Sequence, residues 1–98
     1  MNNKIEIRLT LSRDEPNSMD FRDTYEGLDN IWYKFEVDGT GNVGLWANAD
    51  GFEHLGRYFL KMARSGKYDG YHAHHNLEFG VRDDSGPELT IGFKDRNS

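Results

Sequence analysis

The chain contains no cysteine. That excludes a disulfide framework, a thiolate nucleophile and a cysteine zinc site, and a reducing compartment fits it. Long apolar runs are also missing. The opening MNNKIEIRLTLSR alternates charged with apolar residues and lacks the apolar stretch of a signal peptide. No stretch reaches the length needed to span a membrane. A cytoplasmic protein with no membrane association is expected. Clustered Lys and Arg are absent as well. The formal net charge is −5, whereas generic nucleic-acid binding needs a concentrated positive surface. Nucleic acid is therefore not an expected partner.

What is present points to one small folded domain covering residues 1–98. A chain of this size buries roughly 60–70 % of its unfolded surface, enough for one helix on one sheet. Aromatic residues make up 13 %, which argues against disorder, because disordered chains lack side chains worth burying. The acid is unevenly placed. Between Asp14 and Asp29 stand Asp14, Glu15, Asp20, Asp23, Glu26 and Asp29 against Arg22 alone, a surplus equal to the −5 of the whole chain.

Hydrophobic periodicity divides the chain. Lys4–Arg13 alternates without error, with Ile5, Ile7, Leu9 and Leu11 on one face, and predicts a half-buried strand. The acidic segment 14–29 follows. Phe21, Tyr25 and Leu28 are spaced for a short helical turn behind a Ser18 cap. Ile31–Asp38 and Val43–Ala49 alternate again. They flank Asp38-Gly39-Thr40-Gly41-Asn42, whose glycines and asparagine tolerate a tight turn, so a hairpin is predicted. Asp50 with Glu53 has the spacing of a capping box. Phe52, Leu55, Phe59, Met62 and Ala63 give the apolar stripe of the helix that follows, and Ser65-Gly66 ends it. Tyr71–Phe79 and Leu89–Phe93 complete the strands, joined by a turn at Asp83–Pro87. The expected fold is α+β: an antiparallel sheet of about five strands in the order β-β-β-α-β-β, with one main helix packed on one face.

Gly39-Thr40-Gly41-Asn42-Val43-Gly44 matches the dinucleotide-binding glycine pattern in letters only. That mechanism needs a helix after the glycines, and here a strand follows. No cofactor is expected. His72 and His74 lie two apart on a strand and share a face. Two imidazoles alone make a poor metal site, so surface histidines bonded across strands are the favoured reading and no metal is assigned. His75 has the parity of the core face and should lie at a strand irregularity or bond a backbone carbonyl. A nuclease-like use of His72 and His74 would want cations to hold phosphate, and the face offers mainly Arg8, Lys34 and Lys94. An enzyme is not the expected reading.

Parity also sorts the larger side chains. The helix covers one face, predicted to carry Ile5, Tyr33, Leu45, Tyr71 and Ile91. The other face then carries Trp32, Trp46, His72 and His74. Exposed aromatic patches mark interaction sites, and Trp is favoured as an interface anchor. The alternatives are that the acidic segment covers this face or that it forms a homodimer.

Asn48-Ala49-Asp50-Gly51-Phe52-Glu53-His54-Leu55, the helix through Met62-Ala63, the His72-Ala73-His74 strand and Ser85-Gly86-Pro87-Glu88-Leu89-Thr90-Ile91 resemble a family of bacterial polymorphic-toxin immunity proteins, immunity protein family thirty-two. Its members look like small proteins with a Gly-Leu-x-x-Leu-type helix, a His-x-His strand and a Ser-Pro-Glu-Leu strand. The likeness covers roughly the C-terminal half. Gly86, the acidic segment and His75 depart from the pattern. The resemblance implies a protein that neutralises a cognate toxin by occluding it. Toxins that act on nucleic acid are commonly basic, and an acidic partner would be steered toward them. Trp32, Trp46, His72 and His74 are the expected anchors, with Asp20, Asp23, Glu26 and Asp29 as electrostatic guides. The rival readings are an inhibitor of another cellular enzyme, of phage or stress type, and a metal- or small-ligand-binding sheet protein.

Overall fold

The computed structural model describes residues 3–80 and 87–96. Its elements are α1 (Arg22–Tyr25), β1 (Tyr33–Val37), β2 (Val43–Ala47), α2 (Ala49–Arg64), β3 (His72–Asn76) and β4 (Glu88–Gly92). The class is α+β, as expected. The five-strand sheet is not formed. Two antiparallel hairpins, β1–β2 and β3–β4, make two small sheets instead. They meet where the chain runs on past β3. Phe35 N–H donates to Leu77 O at 2.7 Å and Phe79 N–H to Tyr33 O at 2.9 Å, around an isolated Lys34–Glu78 bridge.

The first hairpin turns as its sequence dictates. Asp38 Oδ1 accepts from the Thr40 N–H, the Thr40 hydroxyl and the Asn42 N–H, and Gly41 supplies a φ of 84°. These hydrogen bonds hold the Asp38 carboxyl below the usual carboxylate range, the Thr40 hydroxyl foremost. The second hairpin pairs His72 with Gly92 through Asn76 with Glu88. Apart from Pro87, its predicted turn Asp83–Pro87 lies outside the described residues.

Helix α2 starts earlier than the Asp50–Glu53 capping box predicted. Asn48 is the N-cap: its Oδ1 accepts from Gly51 N–H at 2.7 Å. The same side chain accepts from Trp32 N–H and donates to Asn30 O. Asp50 accepts from Asn30 N–H instead of capping, and Glu53 pairs with Arg57 at 2.5 Å. Asn48 therefore ties the entry of β1 to the start of the helix.

The helix is also rotated from its expected setting. Leu55 and Met62 are buried as predicted, but Phe52, Phe59 and Ala63 are exposed, while His54, Tyr58 and Lys61 are buried. At roughly 100° per residue the buried face has turned by about a quarter of the circumference. Gly51 explains the setting. A Cβ built there would lie 1.9 Å from Trp32 O, so only glycine lets the helix backbone approach the strand this closely. That approach turns the face through Gly51, Leu55, Tyr58 and Met62 inward.

The core is small and rich in tyrosine: Tyr33, Leu55, Tyr58, Met62 and Tyr71 are buried. Met19, Phe21, Ile91 and Phe93 pack against its centre. His75 faces this core, as its parity required. Its partner is the Tyr58 hydroxyl, 2.7 Å from His75 Nε2, and not a backbone carbonyl.

The Lys4–Arg13 segment is not a strand. Ser12 N–H and Oγ are bound by Asp23 Oδ2, and Leu9 and Leu11 line one hollow with Leu60, Lys61 and Arg64 of α2. These contacts lay the segment along the helix. Ile5, expected in the core, is 87 % exposed.

Candidate functional site

The register of β1 and β2 sets Lys34 opposite Trp46 and Glu36 opposite Gly44 on one face, with Tyr33, Phe35, Leu45 and Ala47 on the other; Tyr33 is buried there, whereas Leu45, expected under the helix, is 37 % exposed because it lies toward the hairpin turn. Trp32 and Trp46 thus share the face that carries no helix, as parity required. Trp46 is 61 % and Trp32 37 % exposed. Both rings are held. Trp46 Nε1–H donates to Glu36 at 3.1 Å, and its indole crosses Gly44, where an added Cβ would stand 3.3 Å from Nε1. Trp32 Nε1–H donates to Glu78 at 2.8 Å. A side chain fixed in one orientation loses little entropy on binding.

His72 and His74 lie on the corresponding face of the second hairpin, both exposed, their rings 5.0 Å apart and edge to face. His72 Nδ1 is 3.0 Å from Gly70 O. His74 Nδ1 is 3.1 Å from Glu88 and 3.3 Å from the hydroxyl of Thr90, its cross-strand neighbour. Among the described residues no group of three or more His, Asp or Glu is arranged to hold a metal ion. Of the cations named for phosphate chemistry, Lys34 pairs with Glu36 at 3.5 Å, and Arg8 lies on the N-terminal segment with Glu6 at 3.0 Å.

The acidic segment does not lie over the tryptophans. It folds onto α2. Its one helical turn is α1, whose N-cap is Phe21 with no side-chain bond, so Ser18 does not cap it. Asp20 takes that place in part, accepting from Arg22 N–H at 3.0 Å. The Arg22 side chain beside it holds the Asp20 carboxyl down at about 2. Asp14 and Asp23 face Lys61 at 3.1 and 3.7 Å. The Ser12 N–H, then its hydroxyl, hold Asp23 below the usual carboxylate range. Basic side chains satisfy the segment's carbonyls: Lys61 to Asp20 O, Lys67 to Glu15 O and Ser18 O, Arg57 to Asp23 O and Glu26 O. Sixteen residues with one helical turn can be ordered this way because these carbonyls, which solvent would otherwise have to satisfy, find partners on α2 and Lys67. Asp20 and Asp23 therefore serve internal contacts. Of the four expected guides, Glu26 and Asp29 remain exposed.

A cleft of about 380 Å³ opens where the two hairpins diverge, lined by Tyr25, Tyr33, His54, His75, Glu78 and Glu88 among others. His54 stacks on Tyr25 with ring centroids 4.8 Å apart and planes 8° from parallel, and its Nδ1 lies 3.4 Å from Thr24 O. Burial pushes the His54 and His75 imidazoles below their ordinary value, and nearby His74 adds to the effect on His75. Periodicity reasoning missed His54, Tyr58 and Lys61 because it assigned the helix face by apolar side chains. Their spacing at i, i+4 and i+7 carried the signal.

No family model, no curated protein and no solved structure matches this chain. No helix of the described residues is long and apolar enough to cross a membrane.

Proposed function

We propose that this chain is an immunity-type protein that binds a cognate bacterial toxin through its helix-free sheet face and blocks it by occlusion. The observation that carries the reading is the pair of exposed tryptophans whose indole N–H groups are held by Glu36 and Glu78. Fixed aromatic anchors on an open face, ringed by carboxylates, suit a protein partner with a basic surface. His72 and His74 extend the patch, and Glu26 and Asp29 supply the free negative charge. The family resemblance in the helix and the His-x-His strand points the same way.

The test is co-expression with the protein encoded by the neighbouring gene. That protein alone should stop growth, and this chain should restore it. Trp46→Ala and Trp32→Ala should each raise the dissociation rate and weaken rescue. Glu26→Gln with Asp29→Asn should slow association and flatten its salt dependence, with less effect on dissociation. A harmless neighbour, or rescue indifferent to both tryptophans, would overturn the reading.

The cleft favours one alternative, a small-ligand-binding protein, since its volume falls in the range of small-molecule sites. A thermal-shift screen of planar and cationic ligands separates the two. A hit abolished by Tyr25→Ala but not by Trp46→Ala would support the alternative.

A further inference from the structure

We propose that the N-terminal segment pairs with the same segment of a second copy, antiparallel and centred on Ile7. The segment alternates apolar and polar residues like a strand, yet it belongs to no strand. Ile5 and Ile7 are 87 % and 73 % exposed. Ile7 and Leu9 border an open hollow of about 630 Å³ over Phe52, Gly56 and Leu60 of α2, lined also by the paired Glu53 and Arg57. Gly56 has nothing within 4 Å of where a Cβ would stand, so this part of the helix surface is clear.

Charge and apolar pairing select both the occupant and the register. Centred on Ile7, each Glu6 opposes the other copy's Arg8, each Ile5 opposes Leu9, and Ile7 meets its own counterpart. Opposite charges and apolar pairs facing across strands are stabilising, whereas like charges are not. Centring on Glu6 would set Glu6 against Glu6 and Lys4 against Arg8. Centring on Arg8 would set two arginines face to face. Centring on Ile5 would set Ile7, two residues from the axis, against Asn3, whereas the Ile7 register places Asn3 only against Leu11 at the end of the segment. Centring on Leu9 would draw in Ser12, which Asp23 already holds. Glu6 and Arg8 already stand together at 3.0 Å within one chain, so pairing would build a four-charge cluster on the outer side. The apolar side of the two-stranded ribbon would face α2.

A dimer through this segment leaves the tryptophan face free.

The absence of cysteine makes the test clean, because a single introduced thiol reports one position. Ile7→Cys lies on the two-fold axis, where opposed Cα atoms stand about 4.5–5.5 Å apart and a disulfide can close. Ile5→Cys and Leu9→Cys would each be roughly 14 Å from their own counterparts. Under mild oxidation, Ile7→Cys should cross-link at least tenfold faster than either, and an equimolar mixture of the other two should cross-link to each other. In sedimentation equilibrium Glu6→Arg should weaken the dimer at least tenfold, and Glu6→Arg combined with Arg8→Glu should restore it. These side chains lie outside the core, and circular dichroism checks that each variant folds. A monomer at all concentrations, equal or absent cross-linking at the three positions, or fastest cross-linking at position 5 would overturn the proposal.

Discussion

Removing the cation that holds the acidic segment tests the internal electrostatics directly. The Lys61 side chain is fully buried, its ammonium 3.1 Å from the nearly buried Asp14 carboxylate, with Asp20 O and Ser12 Oγ as further partners. Lys61→Met keeps most of the volume but leaves Asp14 without its counter-ion. Breaking a buried ion pair by removing one partner costs about 3–5 kcal/mol. The lower end, about 3 kcal/mol, applies here because Asp14 retains slight access to solvent. For a domain of this size that corresponds to a fall in Tm of about 15 °C. Urea titration should show a lower midpoint with a similar slope, and limited proteolysis should cut between residues 12 and 20 once the segment is released. The double variant Lys61→Met with Asp14→Leu should recover most of the loss, because a buried pair replaced by apolar side chains is often neutral. A cost below about 1 kcal/mol for the single change would refute the reasoning. So would a double variant as unstable as the single one, since the damage would then lie in the fit of methionine and not in the unpaired charge.

The two helix glycines should respond in opposite directions. Gly51→Ala forces a Cβ to within 1.9 Å of Trp32 O, so the helix must withdraw from β1; a loss of about 2–4 kcal/mol is expected by thermal or urea denaturation. Gly56→Ala meets no atom within 4 Å and should stabilise the monomer by about 0.5–1 kcal/mol through helix propensity alone. Burial holds His54 and His75 below their ordinary value, so below about pH 6.5 the unfolded chain takes up protons that the folded chain refuses. Stability should be level from pH 8 to 7 and fall as pH drops through 6.5, by at most about 1.4 kcal/mol per pH unit for each histidine. Urea titrations at pH 7.5 and 5.5 measure this, and His75→Gln should show the smaller fall.

The sequence by itself determined the features that rest on local rules. Asp38 to Asn42 contains the turn chemistry of a hairpin, and β1, β2 and β3 follow the period-two pattern with the tryptophans and His72 and His74 on the polar-parity face. Those statements need only the geometry of a strand and the residues that tolerate a tight turn. Asn48 was less legible, since both Asn48 and Asp50 are good caps and only contact with Trp32 and Asn30 separates them. Tertiary structure decided the rest. Periodicity in Lys4–Arg13 says that one side favours burial, but a strand also needs a neighbouring edge, and the Ser12–Asp23 contact draws this segment along α2 instead. The helix face was decided by how closely Gly51 lets α2 approach Trp32 O, a distance between residues far apart in the chain. The role of the acidic segment turned on where Lys61, Lys67 and Arg57 arrive in space. Packing buries Lys61 and Lys67 against carbonyls and carboxylates that no local pattern could assign to them.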